Sequence, residues 1–501
     1  MISLKFSTKP LWDNKVEGYF FLLNEGFSLS SDMNKIKEDC YPKLEEIFKR
    51  HKFEGKKDQS FVLTGTYEGE LVQFFFIGLG KLNTSWENVL EHFRRTIGTL
   101  VSSIKKYEIN TSVLSLPSSD NFGIDSLELL KQSVITAHMA DYEFSDFKSA
   151  ENKNDTDKIL YLISPDIDDS SARDVLKEAD IIGKQVNFAR HLDDLPGNML
   201  TPKKLAEKAK DMASKTGLKF SVFGRDKAEK LGMGGFCAVD IGSEEEGQFI
   251  VLEHKVSNNV PTVVLVGKGV TFDTGGISLK PANYMTGMKY DMSGAGAVIA
   301  ALGAIGHIKP NVNVIGIAPA VENMPSGKCS RQDDIITFMN GKTAEIANTD
   351  AEGRLILADA LCYAEKNYNP DVIIDIATLT GACVVALGHF FTAVMSRDNS
   401  LVEKLVSAGN LSGDRLWQMP LHDDYKVAIK SKVADLSNCG SPEYSAGTIT
   451  AGHFLENFVE KTPWAHLDIA GTADRVPGVN FLRSGATGVG VRLFVEFVKN
   501  I

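Results

Sequence analysis

Hydrophobic runs separated by glycine and proline divide the first third of the chain into strands and helices. The apolar run over residues 71–79 predicts a buried strand, and apolar positions at helical spacing predict a helix from Trp86 to Lys106. A further strand is expected from Lys158 to Ser164. A long helical stretch then runs from about Ser171 to Leu192, and the sequence Pro-Gly-Asn at 196–198 ends it.

From about residue 200 onward, predicted strands alternate with predicted helices. The strands are expected at Val263–Val266, Val312–Ala318 and Val372–Ile376, and the helices at Ala295–Ile308 and Arg354–Glu365. This alternation favours a largely parallel sheet that is covered by helices on both faces. A chain of 501 residues is also too long for one compact core.

We therefore predict an α/β fold with two α/β domains. The N-terminal domain is expected over residues 1–168, a connecting helix over 169–195, and a C-terminal domain over 196–501. The C-terminal domain should contain the largely parallel, mixed sheet sandwiched by helices.

Composition narrows the classes of partner. The net charge is −11 without a block of lysines or arginines, which argues against nucleic acid or an anionic membrane as the main partner. The N-terminus lacks the apolar segment of a secretory signal, and no stretch is expected to reach the roughly 18 apolar residues of a spanning helix. Six scattered cysteines are typical of reduced thiols. A cytoplasmic location is expected.

Four carboxylates lie just after predicted strands or just before predicted helices: Asp273, Asp291, Asp350 and Glu352. Ligand sites in open α/β sheets form outside the carboxyl ends of the strands, so these acids could converge. Oxygen ligands suit Mn²⁺, Mg²⁺ or Zn²⁺, and four acids can supply two bridges between a pair of ions. The alternative is that each acid is solvated or caps a helix, as Asp291 could.

Two lysines, Lys268 and Lys280, flank Asp273 in a glycine-rich segment. The Walker pattern is absent, so nucleotide binding is rejected there. A lysine beside several acids can balance charge, serve as a ligand after losing its proton, or polarise a carbonyl. The spacing alone does not assign these roles.

The motifs of other hydrolase classes are missing. The sequence contains neither H-E-x-x-H nor G-x-S-x-G, and no histidine falls in 255–306 or in 308–388. These observations favour hydrolysis by metal-activated water over attack by a side-chain nucleophile.

The segment Asn348–Leu355, Asn-Thr-Asp-Ala-Glu-Gly-Arg-Leu, resembles the hallmark of the leucyl aminopeptidase family, also called cytosol aminopeptidases. Further blocks resemble the family in the same order. They are residues 266–281, 288–295, 378–382, 464–471 and 485–492.

This resemblance implies two divalent ions per subunit, Mn²⁺ or Zn²⁺ or else Mg²⁺. One ion would be held by Asp273, Asp350 and Glu352, and the other by Lys268, Asp273, Asp291 and Glu352. Lys280 would polarise the scissile carbonyl. Arg354 would hold a bicarbonate ion that acts as general base, and its planar guanidinium suits that anion.

The same resemblance implies how substrate binds. Asn348, Gly353 and Leu379 would contribute groups near the substrate and the bicarbonate, and Met288 and Thr378 would line the pocket for the first side chain. The free amine of the peptide would ligate one metal, which explains removal of N-terminal residues. An apolar pocket discriminates weakly, so a broad preference is expected.

The family also implies a homohexamer that contributes to intracellular peptide turnover, with the N-terminal domain serving assembly or regulation. The chain departs from the family at Asp194, where an asparagine is common, and residues 438–446 look atypical. These departures bear on assembly and on the shape of the cleft, and leave the metal site unaffected.

Three alternatives compete with this interpretation. Another two-metal hydrolase, such as a phosphoesterase, would normally use histidine ligands, which this cluster lacks. A non-enzymatic scaffold on an inactivated fold would not need every metal and catalytic position intact. Purely structural acids would not explain so many ordered blocks.

Overall fold

The structure, a computed structural model, describes residues 2–149, 157–482 and 485–501. The chain folds into two compact units, the first of residues 1–184 with 478–483 and the second of residues 185–477 with 484–501. The division falls inside one long helix. The predicted boundaries at residues 168 and 195 lie on either side of it, and the assignment of a separate connecting segment stays a prediction.

The first unit contains a six-stranded sheet in the order β1-β6-β5-β2-β4-β3. All neighbours are parallel except β3 and β4, which pair antiparallel. The strands are β1 (Ile2–Phe6), β2 (Gly18–Asn24), β3 (Ser60–Tyr67), β4 (Glu70–Gly80), β5 (Thr111–Ser115) and β6 (Lys158–Ile163). The helices are α1 (Ser31–Asp39), α2 (Leu44–Arg50), α3 (Trp86–Lys106), α4 (Ser119–Phe122) and α5 (Ser126–Asp141), and α6 (Asp169–Asp194) begins in this unit.

The second unit is built on a nine-stranded sheet in the order β16-β15-β18-β14-β9-β11-β8-β7, with β10 also paired to β11. Its strands are β7 (Lys219–Phe223), β8 (Gln248–His254), β9 (Thr262–Gly267), β10 (Gly269–Asp273), β11 (Asn313–Asn323), β14 (Val372–Ala377), β15 (Thr392–Met395), β16 (Leu416–Gln418) and β18 (Trp464–Asp468). A small second sheet has the order β12-β13-β17, formed by β12 (Ile335–Thr337), β13 (Thr343–Glu345) and β17 (Leu436–Ser437).

Helices surround these strands. They are α7 (Pro202–Thr216), α8 (Arg225–Lys230), α9 (Gly234–Asp240), α10 (Ala282–Met285), α11 (Ser293–Ile308), α12 (Gly353–Tyr368), α13 (Gly381–Leu387), α14 (Asn399–Ser412), α15 (Gly447–Glu456) and α16 (Val491–Lys499). Short 3₁₀ turns span Leu11–Asp13, Met288–Met292, Asp423–Ile429 and Pro442–Tyr444.

The predicted fold class is confirmed. The centre of the large sheet is parallel through β18, β14, β9 and β11, while β8, β7 and β15 join antiparallel, so the sheet is mixed. The central strands β9 and β14 consist almost wholly of buried apolar residues, as expected for strands covered on both faces.

One apolar helical segment is longer than the sequence pattern suggested. Met288–Ile308, which includes α11, has 21 residues and a mean hydropathy of 1.3 over its most apolar window, so the expectation of no stretch of spanning length was wrong on composition. Of that window, 89% is buried inside the protein. The segment is a core helix whose alanines and glycines pack closely against β9, β11 and β14.

Candidate metal centre and active site

Lys268 lies between β9 and β10, at the carboxyl end of β9 in the parallel centre of the large sheet. Its backbone N–H donates to Ile376 O on β14 at 3.0 Å, and its carbonyl accepts from Ala295 N on α11 at 2.8 Å. A Cβ added to the preceding residue, Gly267, would lie 2.2 Å from Gly294 O. Only glycine therefore lets α11 approach closely enough to fix the lysine in place.

Asp273 ends β10 and is oriented by two hydrogen bonds. Its Oδ1 accepts from Gly275 N and from Asn323 Nδ2, each at 2.8 Å, and its Oδ2 lies 2.8 Å from Lys280 Nζ. Asn323 ends the neighbouring strand β11 and also donates to Thr349 O at 3.1 Å. The structure thus adds Asn323 as a positioning group that the sequence did not reveal.

Asp350 and Glu352 come from the loop before α12. One oxygen of each lies within 4.8 Å of the others in the group Asp273, Asp350 and Glu352, close enough for a single cation. Asn348 shapes the loop because its Oδ1 accepts from Asp350 N at 2.9 Å. Lys280 also forms an ion pair with Asp350.

Asp291, in the 3₁₀ turn before α11, reaches the same cluster through Lys268. Lys268 Nζ lies 2.8 Å from Asp291 Oδ1 and 2.8 Å from Glu352 Oε1. Thr378 fixes both Asp291 and Lys268. Its hydroxyl donates to Asp291 Oδ1 at 2.8 Å, and its carbonyl accepts from Lys268 Nζ at 3.0 Å. Asp291 Oδ2 is buried without a hydrogen-bond partner among the described residues.

Burial and mutual repulsion set the charge states of the cluster. Burial, together with the charges of Asp273 and Glu352, raises the pKa of Asp350 to about 6. Burial also raises the pKa of Asp291 well above its usual value. Burial alone would lower the pKa of Lys268 and Lys280, but the surrounding carboxylates outweigh it and raise both. Negative charge is in excess here, which suits cations.

Arg354 lies in the first turn of α12 and is buried. Its Nη1 donates to Asn438 O at 2.8 Å, while its Nε has no hydrogen-bond partner among the residues that the structure describes. Asn438 also accepts from Ala347 N at 2.8 Å and donates to Asn348 O at 2.7 Å. The segment 438–446, which looked atypical, therefore begins with the residue that fastens the loop carrying Asp350 and Glu352.

Two further predicted site residues, Gly353 and Leu379, contact the rest of the site through their backbone. A Cβ on Gly353 would lie 2.6 Å from Lys268 Cε, so glycine makes room for the lysine. Leu379 N donates to Asp468 Oδ1 at 3.1 Å, and Asp468 Oδ2 accepts from Thr380 Oγ1 at 2.6 Å. Asp468, which sequence reasoning missed, is the acid of the Trp464–Gly471 block and holds the loop after β14.

A cavity of about 610 Å³ opens over the cluster. Nearly all of the predicted site residues border it; Gly353 and Arg354 are not among its lining residues. The predicted site residues that line it are Lys268, Asp273, Lys280, Met288, Asp291, Asn348, Asp350, Glu352, Thr378 and Leu379. Tyr284 and Val384 add apolar surface to its wall. The volume is in the range of small-molecule and peptide-end sites.

Comparison with known proteins decides the family. Residues 187–495 match the cytosol aminopeptidase family, catalytic domain, and residues 19–151 match its N-terminal domain. The chain belongs to the cytosol aminopeptidase family. The expected resemblance is confirmed, and this cytosol aminopeptidase is a metalloexopeptidase that acts on peptides with a divalent metal cofactor.

Relatives and solved structures cover nearly the whole chain. A probable cytosol aminopeptidase of Geotalea uraniireducens is 40% identical over 466 residues, 91% of each chain, and one of Desulfotalea psychrophila is 38% identical over 492 residues, 96% of each. A variant of tomato leucine aminopeptidase has a TM-score of 0.88 at 31% identity, covering 100% of this chain and 97% of that one. The bottromycin maturation enzyme BotP in complex with Mn has a TM-score of 0.85 at 30% identity, covering 97% and 99%.

Proposed function

We propose that this cytosol aminopeptidase is a leucyl-type enzyme that releases N-terminal residues by water attack at a two-metal centre and contributes to peptide turnover in the cytoplasm. The observation that carries the proposal is the convergence of four carboxylates and two lysines at the floor of one cavity.

The residues present fit a pair of divalent ions. The three close carboxylates could hold one ion. Asp291 Oδ2, which is buried and has no hydrogen-bond partner among the described residues, offers a ligand atom for a second ion. We assign Asp273, Asp350 and Glu352 to one ion and Lys268, Asp273, Asp291 and Glu352 to the other. When bound, Mn²⁺, Zn²⁺ or Mg²⁺ would supply the Lewis acidity that lowers the pKa of a water and polarises a carbonyl.

Lys268 must change its protonation state to serve as a ligand. Burial would lower the pKa of this lysine, but in the metal-free protein its ammonium lies between Asp291 and Glu352, and the negative charge of the cluster raises that pKa. A ligating amine carries a lone pair, so metal loading must release this proton. The lysine then acts as an internal countercharge before loading and as a ligand afterwards.

Lys280 is suited to stabilise the anionic oxygen of the tetrahedral intermediate. Its raised pKa keeps it charged at neutral pH, and its Nζ lies in the cavity wall beside Asp273. A fixed cation that faces developing charge stabilises the transition state more than the ground state.

Arg354 is the group we assign to a bicarbonate base. Its guanidinium is buried, and the hydrogen-bond acceptor that the structure gives it is the backbone carbonyl of Asn438, while its Nε stays unsatisfied. An arginine without a carboxylate partner is suited to a planar anion held by two parallel hydrogen bonds. Gly353 and Leu379 would contribute backbone groups nearby.

Two parts of the cavity would select the substrate: the carboxylate cluster would bind the peptide N-terminus, and the apolar wall would contact the first side chain. The anionic end attracts the free amine of a peptide N-terminus, a group that an internal peptide bond does not have. Met288 and Thr378 would border the first side chain, and Asn348 would contact the substrate from the loop before α12. A mainly apolar wall predicts a broad preference among aliphatic side chains.

We also propose a homohexamer, with the N-terminal domain (1–168) serving assembly or regulation. Support comes from large apolar side chains that the single chain leaves in water: Val385 is 89% exposed, and Val433 and Trp417 are also exposed. Multi-angle light scattering of the purified protein tests this assignment, and a monomer at micromolar concentration would contradict it.

The central experiment is hydrolysis of leucine p-nitroanilide with Mn²⁺, before and after chelation, with the bound metal counted by mass spectrometry. We expect release of p-nitroaniline that is lost on chelation and restored by Mn²⁺. Activity that survives complete removal of metal would overturn the two-metal proposal.

A further inference from the structure

The first unit contains a second cavity, of about 430 Å³, that no part of the proposed reaction uses. It lies between the turn after β2 and the turn after α2. Its floor is formed by Phe27, Phe48 and Phe53, with ring centroids 5.5–5.8 Å apart. Phe48 and Phe53 are buried, and Phe27 is half-buried.

Backbone and ring contacts fix the phenylalanine side chains that form the floor of the cavity. Phe53 N donates to Phe48 O at 3.0 Å across the turn in which Lys52 takes a left-handed backbone conformation, with φ of 54°. Phe48 also packs edge-on against Phe76 of β4, with centroids 4.9 Å apart. Two of the three rings are therefore anchored in the core of the unit, and the cavity is not an accident of a loose side chain.

The charges at the rim that form no ion pair among the described residues are positive. Four charged residues border the cavity, but both acids are already paired elsewhere: Glu45 lies 3.1 Å from Lys37, and Glu54 pairs with Lys56. The two bordering lysines, Lys49 and Lys52, are exposed and form no ion pair within the described part of the chain. An apolar floor below two free cations selects an anion with an apolar body.

We propose that this cavity binds a small aromatic carboxylate, with the ring on the phenylalanine floor and the carboxylate between Lys49 and Lys52. The three floor rings meet at interplanar angles of 42° to 83°, so they lie tilted or edge-on to one another. An aromatic guest gains edge-to-face contacts there that an aliphatic chain does not.

The test compares three probes with the same body and different charge: 3-phenylpropionate, 3-phenylpropan-1-ol and 3-phenylpropan-1-amine. Binding to the metal-loaded protein is measured by calorimetry and by saturation-transfer NMR. We expect the carboxylate to bind most tightly and the amine most weakly. Equal affinity for all three probes would overturn the proposal.

Variants separate this cavity from the metal centre, which could also bind a carboxylate. The double substitution Lys49→Glu with Lys52→Glu should weaken 3-phenylpropionate roughly tenfold or more, because two attractive charges become repulsive. Lys43→Glu, an exposed lysine on the approach to α2 that does not line the cavity, is the matched control and should leave the affinity unchanged.

A third variant tests the floor. Phe27→Ala removes the half-buried ring and should also weaken the carboxylate, while thermal unfolding verifies that the unit stays folded. Peptidase activity should be unaffected in all three proteins. If the double lysine variant bound 3-phenylpropionate as tightly as the wild type, the cavity would not be its site.

Discussion

His466 and Asp375 form a fully buried pair in which ring Nδ1 lies 2.6 Å from Oδ1. The two residues are directly opposite each other on β18 and β14. Trp464 completes the arrangement by donating from Nε1 to the other carboxylate oxygen at 2.7 Å. The strands that position the metal centre are thus joined by a polar contact inside an apolar sheet.

Substitution of Asp375 by Asn should destabilise the second unit strongly. Loss of one partner leaves the other charge buried without compensation, which costs about 3–5 kcal/mol. Urea unfolding followed by intrinsic fluorescence measures the change. Asp424→Asn, at an exposed position, is the control and should change the unfolding free energy by less than about 0.5 kcal/mol.

The contribution of this pair should depend on pH. Burial alone would lower the pKa of His466, but Asp375 outweighs it and raises that pKa. The stabilisation is then complete below the unfolded pKa of about 6.5 and is lost as pH rises through the folded value. The difference in unfolding free energy between wild type and Asp375→Asn should therefore shrink as the pH is raised above 6.5. A constant difference across the pH range would contradict a charged imidazole.

Glu352→Gln should abolish both metal retention and activity. Glu352 belongs to the close carboxylate group and also pairs with Lys268, so the amide removes a ligand charge from both assigned ions. Because substitution of outer-shell partners alone costs 10–100-fold, we expect activity to fall by at least about 100-fold. Glu403→Gln, on the exposed face of α14, should keep full metal content and activity.

Lys280→Ala should lower kcat by roughly 10²–10³ with little change in KM, since the proposed contact strengthens in the transition state. Lys280→Arg keeps the charge and should recover part of the rate. Steady-state kinetics on leucine p-nitroanilide gives both constants. A change confined to KM would show that Lys280 serves in binding alone.

The affinity for Mn²⁺ should fall as the solution is acidified. Loading displaces the proton of Lys268 and, wherever Asp291 is protonated because burial raises its pKa, the proton of that carboxyl as well. Below about pH 6, Asp350 must also lose a proton. Each displaced proton costs roughly tenfold in apparent affinity per pH unit. Calorimetry in buffers of different ionisation enthalpy counts the protons. Lys268→Met should lower the number of protons released above pH 6 by one, and an unchanged count in this variant would rule out the assigned role.

Hydrophobic patterning predicted the central elements within a few residues because buried parallel strands and long helices dominate their local sequence. The helix expected at Trp86–Lys106 is α3, and the strand expected at Val372–Ile376 lies within β14. Strand β11 was predicted to end at Ala318, but it continues past Pro319 to Asn323. Pro319 lies opposite Phe249 of β8, and on the other edge of β11 it falls between the residues that pair with β9 and those that pair with β10.

The residue types of the candidate site could be predicted, but their partners could not. Spacing left the two lysines with three open roles, because an ion pair such as Lys268 with Glu352 joins segments far apart in sequence. Asn323 carried no local signal, and Asn438 and Asp468 lie in segments that were singled out without a role for either residue. Each acts through a hydrogen bond to a loop that only the folded sheet brings near.

The contact between Lys268 and β14 has a consequence for synthesis on the ribosome. Every assigned metal ligand has been translated once Glu352 is complete, yet the backbone of Lys268 is fixed by Ile376 and its ammonium by Thr378. A nascent chain that ends before β14 therefore carries all of the ligand atoms without their final arrangement. Cation capture should begin only when the β14 segment has left the exit tunnel, which keeps a half-made hydrolase inert.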